Sequence, residues 1–289
     1  MTEDQETVKQ TDSAVVAQSS AAEALPANTS PVSTPTDTLP NDDVQAAGCG
    51  QTAADLSSTE RLKTLSVDIG GSGIKTILLD AKGEVLTERL RQNTPAPATP
   101  EAIIELVRAQ ATQQGDFDRV SVGFPGVVRQ GVIGSAANLD SSWIGVDLAT
   151  SLAQVLGKPV RVANDADVQG LGAVSCQGVE LVLTLGTGVG AALFVNGTLV
   201  PNLELGHHPF RKGETYEQQL GRFALESIGK KRWNRRLEKA IALLQAIFNY
   251  DTLYLGGGET KQINFDLPKN VKIVSNMMGL LGGIALWRD

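Results

Sequence analysis

The chain has 289 residues, 42% of them hydrophobic, and a formal net charge of −7. This length allows one large domain or two of medium size. Its only cysteines, Cys49 and Cys176, exclude a disulfide framework and a cysteine-based zinc site and fit a reducing cytoplasm, while no apolar run approaches the roughly 20 residues of a membrane span.

Residues 1–60 hold ten acids and one base, Lys9. The acidic balance therefore belongs to this segment, and residues 61–289 carry a small positive excess. "ALPANTSPVSTPTDTLPNDD" has almost no large apolar side chain and cannot offset its ordering entropy, so residues 1–60 are read as a disordered, solvated tail. The start, "MTEDQETVKQ", lacks the basic and apolar pattern of a signal peptide, and a soluble cytoplasmic protein is expected.

Order is predicted from Leu62. "TLSVDIGG" is a strand broken by glycines, and "SGIKTILLDAKGEVLTERLR" reads as two strands joined at Lys82-Gly83. "PEAIIELVRAQATQQ" has helical spacing with Pro100 at its start. "RVSVGFPGVV" is a strand stopped by its proline and glycine, and "GVDLATSLAQVLG" is a helix closed by Gly157. "PVRVAND" is a strand, followed by a helix from Ala166 to Ala173. "VELVLTLGTGVGAALFVNGTLV" then repeats the opening plan of strand, glycine turn and strand, with a turn at Asn196-Gly197. Polar helices run to Asn249, "DTLYLGGGETKQ" and "NVKIVS" are strands, and "MMGLLGGIALW" is a closing helix. The pattern predicts an α/β fold of two related domains, 61–174 and 175–289, with a cleft between them and the closing helix free to return to the first.

Three strands end in glycine-rich turns: "DIGGSGIK", "TLGTGVG" and "LGGGE". Without a Cβ, such turns bring backbone amides close to an anion, and Lys75 adds charge beside the first. The spacing is neither a Walker loop nor a dinucleotide fingerprint, and a single such turn fits a plain hairpin equally well. Three of them favour a phosphoryl-binding cleft. "VANDAD" poses a different question. Asp165 and Asp167 follow a buried strand and are either helix caps or chemistry.

The motifs "DIGGSGIK", "GFPGVV", "NLDSSW", "VANDAD", "LGTGVG" and "ELGHH" stand in the order found in ROK-family sugar kinases, which the chain resembles from about Leu62 to Asp289. The resemblance implies the actin-like, hexokinase-like (ribonuclease H-like) two-domain fold and, through "LELGHHPFRKGETYEQQLGRFALESIGKKRWNRR", the polyphosphate glucokinase branch. It further implies Asp165 as catalytic base, with Asn138, Asn164, Glu204 and His207 on the sugar. Gly70, Gly71, Ser72, Lys75, Thr187, Gly188, Gly257 and Gly258 fall on the phosphoryl donor, and Asp68 positions Mg2+ through water. Asp167 is left as a first-turn acid favoured by the helix dipole, and His208 as structural. Many ROK kinases carry a zinc-binding cysteine cluster after the Gly-His motif. "HPFRKGETYEQQLG" has none, so no zinc is expected.

Lys230, Lys231, Arg232, Arg235 and Arg236 form a basic run that is either a solvated helix face or a polyphosphate track, with Arg211 and Lys212 as an extension. The expected activity is phosphorylation of glucose at its 6-hydroxyl by inorganic polyphosphate, by ATP, or by both. The alternatives are a strictly ATP-dependent hexose kinase and a sugar-sensing repressor. The last needs a helix-turn-helix that residues 1–60 do not show, and no nucleic-acid or membrane partner is expected. A homodimer is implied by the family.

Overall fold

The computed structural model describes residues 62–136, 139–275 and 277–288. The expected acidic tail (1–60) and the candidate sugar ligand Asn138 lie outside them.

Apolar alternation at the start of the described chain produces β1 (Thr64–Gly70), whose Leu65, Val67 and Ile69 are buried. The glycine turn returns it antiparallel as β2 (Gly73–Leu79). The strand expected directly after Lys82-Gly83 is displaced. The turn closes as expected, with Asp80 accepting from the Lys82 and Glu84 N–H groups and Gly83 at φ +88°. Leu78 then gives its N–H to the Thr87 hydroxyl instead of to a partner strand. Regular pairing resumes only at β3 (Leu90–Gln92), opposite Ile74–Thr76.

Thr99 caps α1 (Pro100–Gln114), which leads to β4 (Arg119–Phe124). A small hairpin follows, β5 (Val128–Arg129) with β6 (Val132–Ile133). Asp147 caps α2 (Leu148–Leu156), and Gly157 ends it in the left-handed conformation that a glycine adopts without strain. β7 (Val160–Asn164) runs straight into α3 (Asp165–Ala173). The first sheet has the order β3-β2-β1-β4-β7.

The second half repeats this plan. β8 (Val179–Leu185), β9 (Val189–Val195) and β10 (Thr198–Val200) form an antiparallel meander. A hairpin of β11 (Pro209–Arg211) and β12 (Glu214–Thr215) precedes α4 (Tyr216–Leu220), α5 (Arg222–Ile228) and α6 (Lys230–Phe248). β13 (Thr252–Gly256) and β14 (Val271–Ile273) then add in parallel, giving the order β10-β9-β8-β13-β14. The two sheets thus share one topology: an antiparallel meander extended by two parallel strands.

The expected closing helix is split. α7 (Met278–Leu281) passes into a tighter 3₁₀ segment, Gly282–Trp287. Both pack on the first sheet, where Leu280 and Ile284 meet Ile77 and Leu79. Ser66 and Ser121 donate to the carbonyls of Leu280 and Gly283, at 2.7 and 2.6 Å. A Cβ on Gly282 would lie 1.9 Å from the Val168 carbonyl of α3, so only glycine permits this approach.

Candidate active site

The ends of β1, β4 and β7 in the first sheet and of β8 and β13 in the second border one cleft of about 420 Å³. Asp68, the Gly70–Gly73 turn, Lys75, Asn164, Asp165, the Gly186–Gly190 turn, Glu204, His207, Gly257 and Gly258 all line it. A larger hollow of about 660 Å³, bounded by Arg108, Asp116, Asp118 and Lys158, holds none of these groups.

The start of α3 sets the centre of the cleft. The helix cap is Asn164, not either aspartate. Its Oδ1 accepts from the N–H groups of Ala166 and Asp167, at 2.8 and 3.2 Å, and its Nδ2 donates to the Gly126 carbonyl. One Nδ2 hydrogen remains for a ligand. Asp165 is the first helical residue. It keeps some surface open to the cleft, yet its carboxyl is deep enough that burial, with the nearby Asp68 charge, pushes its pKa up to about 7. Gly123 on β4 packs closely here: a Cβ there would lie 3.3 Å from the Asp165 Cα, a tight contact.

Asp167 differs from the expected dipole-stabilised acid. It stands in the first turn but is only 2% exposed. One oxygen accepts from the Asn202 N–H at 3.0 Å, and the other has no partner. Burial raises its pKa to about 6. Asn202 also exchanges two hydrogen bonds with Val128, so Asp167 fixes the loop that leads to Glu204.

Register places the donor-side groups. Asp68 on β1 lies opposite Lys75 on β2, and Lys75 opposite Arg91 on β3. Lys75 Nζ is 2.6 Å from Asp68 Oδ2. The two glycine turns meet where the Ser72 and Thr187 hydroxyls are 3.3 Å apart. The Thr184 hydroxyl accepts from the Gly190 N–H at 3.0 Å. Gly190 has no room for a Cβ, which would lie 2.7 Å from that hydroxyl and 2.9 Å from Ala166 Cβ. Gly257 takes φ +90° against the Leu185 carbonyl.

On the sugar side, Glu204 Oε2 lies 3.0 Å from His207 Nδ1 across a 3₁₀ turn, Leu205–His207. His208 turns away, with Nδ1 2.9 Å from the Pro209 carbonyl oxygen. Glu217 lines the cleft and accepts from the Val189 N–H.

The basic run does not line the cleft. Lys230, Lys231, Arg232 and Arg235 are exposed at the start of α6. Arg236 is half-buried and donates to the Gln219 carbonyl. Burial, with Arg211 and Arg232 nearby, lowers its pKa. Sequence reasoning missed four cleft residues: Arg89, Arg91, Gln169 and Arg222. Arg222 pairs with Glu259 at 2.6 Å. The hairpin expected at Lys82-Gly83 would set Leu90 opposite Lys75, so it gave no signal for Arg91, which the observed register places there. For Gln169 and Arg222 the sequence offers none.

Residues 64–216 match the ROK family. A polyphosphate glucokinase from Mycobacterium tuberculosis is 31% identical over 232 residues, covering 75% of this chain and 86% of that protein. The crystal structure of an inorganic polyphosphate/ATP-glucomannokinase from Arthrobacter sp. strain KM is 36% identical with a TM-score of 0.72, covering 79% of this chain and all of that one. A ROK family glucokinase from Streptomyces griseus, solved with glucose and AMPPNP, is 21% identical with a TM-score of 0.66 over 78% of this chain and 98% of that one, and shows the fold alone. With the repeated sheet order, these likenesses bear out the expected actin-like, hexokinase-like architecture. The chain belongs to the ROK family.

Proposed function

We propose that the chain transfers a phosphoryl group from inorganic polyphosphate to the 6-hydroxyl of glucose, with ATP as a second donor. The observation that carries the reading is the position of Asp165. Its carboxyl stands at the start of α3 in a cleft lined on one side by two glycine turns and on the other by Glu204 and His207. Both the named relative and the more similar solved neighbour are described as acting with polyphosphate on a sugar.

The 6-hydroxyl oxygen attacks the terminal phosphorus of the donor and gives its proton to Asp165. The new O–P bond forms as the bridging P–O bond breaks, and the shortened chain leaves with the electron pair. A base with a pKa near the working pH suits this transfer. Phosphoryl transfer otherwise demands positioning and charge neutralisation. In this proposal the amides of the Gly70–Gly73 and Gly186–Gly190 turns, together with Lys75, supply them. Glu204, His207 and the remaining Asn164 hydrogen hold the sugar hydroxyls, and a sugar with the wrong pattern leaves those polar groups unpaired.

Among the described residues no group of three or more His, Cys, Asp or Glu is placed to hold a metal. Mg2+ keeps several waters and needs only one or two carboxylates beside substrate phosphates. Asp68 fits that requirement through Oδ1, since Lys75 engages Oδ2. When bound, the ion neutralises charge on the transferring group.

Strict ATP dependence is the second reading. It draws on Gly257 and Gly258 on the cleft wall, where the open space at Gly258 leaves room for a nucleotide under either reading. A cytoplasmic location and a homodimer belong to the same proposal; sedimentation of the purified protein tests the dimer. Supplying glucose with polyphosphate and no nucleotide separates the two donors.

A further inference from the structure

The cations of the cleft divide into two kinds. Lys75 and Arg222 are each paired with a carboxylate at 2.6 Å, Asp68 and Glu259 respectively. Arg89 and Arg91 line the same cleft and have no carboxylate partner among the described residues. β3 sets Arg91 directly opposite Lys75, whose own charge is taken up by Asp68, so Arg91 adds a second cation at this point of the cleft that Asp68 does not pair.

The fold nevertheless makes room for Arg91 there. Its guanidinium lies flat on Gly73, where a Cβ would come within 3.0–3.1 Å of Nη2, Cζ and Nε. It spends two long hydrogen bonds on the Ser72 carbonyl (3.4 Å) and Asn93 Oδ1 (3.3 Å), which leaves most of its five N–H donors unused. Arg89 lies two residues earlier, just before β3, and lines the same cleft. Its recorded side-chain contact is a 4.0 Å approach to Met277 Sδ. The pair therefore sets two cations without a carboxylate partner on the cleft wall, beside the first glycine turn and at the edge strand of the first sheet.

We infer that Arg91 and Arg89 form a subsite for the trailing phosphates of a linear polyphosphate, so that the donor leaves the cleft over the edge of the first sheet. This rests on the donor reading of the cleft given above. It differs from the expectation that the chain tracks along the start of α6, whose cations do not line the cleft. The geometry favours a polyanion over a nucleotide, because Arg91 is followed on its own face by the polar Asn93, to which it donates, while the apolar Leu90 alternates to the other face of the strand.

The test is equilibrium binding of pyrophosphate and of a long-chain polyphosphate to the full chain, titrated across salt concentration, for wild type and for Arg89→Gln/Arg91→Gln. Both side chains are exposed, so the double variant keeps the fold, and an unchanged melting temperature and glucose affinity check this. Long-chain affinity is expected to fall at least tenfold while pyrophosphate affinity changes far less. The slope of log affinity against log salt should shrink by about 0.7 per lost arginine, by the counterion rule for single strands. Arg89→Lys/Arg91→Lys should restore most of the slope. Equal long-chain affinity and slope in the Gln variant and wild type overturns the subsite. Wild type that binds the long chain through these arginines yet forms no glucose 6-phosphate from it leaves the subsite standing and removes the donor reading. Wild type that binds no polyphosphate removes both.

Discussion

Asp165→Asn tests the proposed base in two opposed directions. The folded carboxyl has a pKa of about 7 against an ordinary 3.8, raised by burial and then by Asp68. Because the folded pKa lies above the unfolded one, the protein is spared any cost at low pH and loses stability as pH rises from about 4 through 7. A shift of about three units corresponds to a ceiling of about 4 kcal/mol. Water in the open cleft reduces that, so about 2 kcal/mol is expected above pH 8, or roughly 4–8 °C in Tm for a domain of this size. Asparagine keeps the shape and the acceptor for the Ala166 N–H but cannot ionise or take a proton. Above pH 8, in EDTA and without substrates, the variant should therefore melt several degrees higher than wild type, and the difference should fade toward pH 4. Its turnover should fall by at least ~100-fold, the usual contribution of a general base, with glucose affinity largely kept. A variant with a tenth or more of the wild-type rate, or one that melts lower than wild type at pH 8, would refute the placement of a buried, ionising base at this position.

The wild-type rate should rise with pH through about 7 as Asp165 loses its proton, and a profile flat from pH 5 to 9 would contradict that assignment. Gly190→Ala puts a methyl 2.7 Å from the Thr184 hydroxyl and 2.9 Å from Ala166 Cβ. It should cost about 1–3 kcal/mol of stability by overpacking and depress kcat, measurable by denaturant melts and steady-state kinetics. Replacing Lys230, Lys231, Arg232 and Arg235 together with Ala should leave the salt dependence of polyphosphate KM nearly unchanged, because these side chains do not line the cleft; a markedly smaller slope would assign α6 a part in donor binding. An unchanged slope assigns those side chains to a solvated helix face.

Much of the fold was legible because glycine, proline and capping residues mark most boundaries. Pro100 starts α1, Gly157 ends α2, and the repeated strand–glycine turn–strand pattern announces two similar sheets. What was not legible depended on contacts distant in sequence. β3 begins late because the Thr87 hydroxyl takes a ladder N–H. The closing helix tightens because Gly282 must approach Val168, more than a hundred residues away. In the site, the cap fell to Asn164 and Asp167 turned inward to Asn202, a partner no local pattern reveals. Arg89, Gln169 and Arg222 reach the cleft only through tertiary packing.

The central claim is that Asp165 stands between a sugar hydroxyl and a polyphosphate chain. Incubating the purified protein with glucose, Mg2+ and nucleotide-free polyphosphate, and following glucose 6-phosphate, tests it most directly. The account predicts product that accumulates as the polyphosphate shortens and that disappears with Asp165→Asn. Product that forms only when ATP is supplied would contradict it.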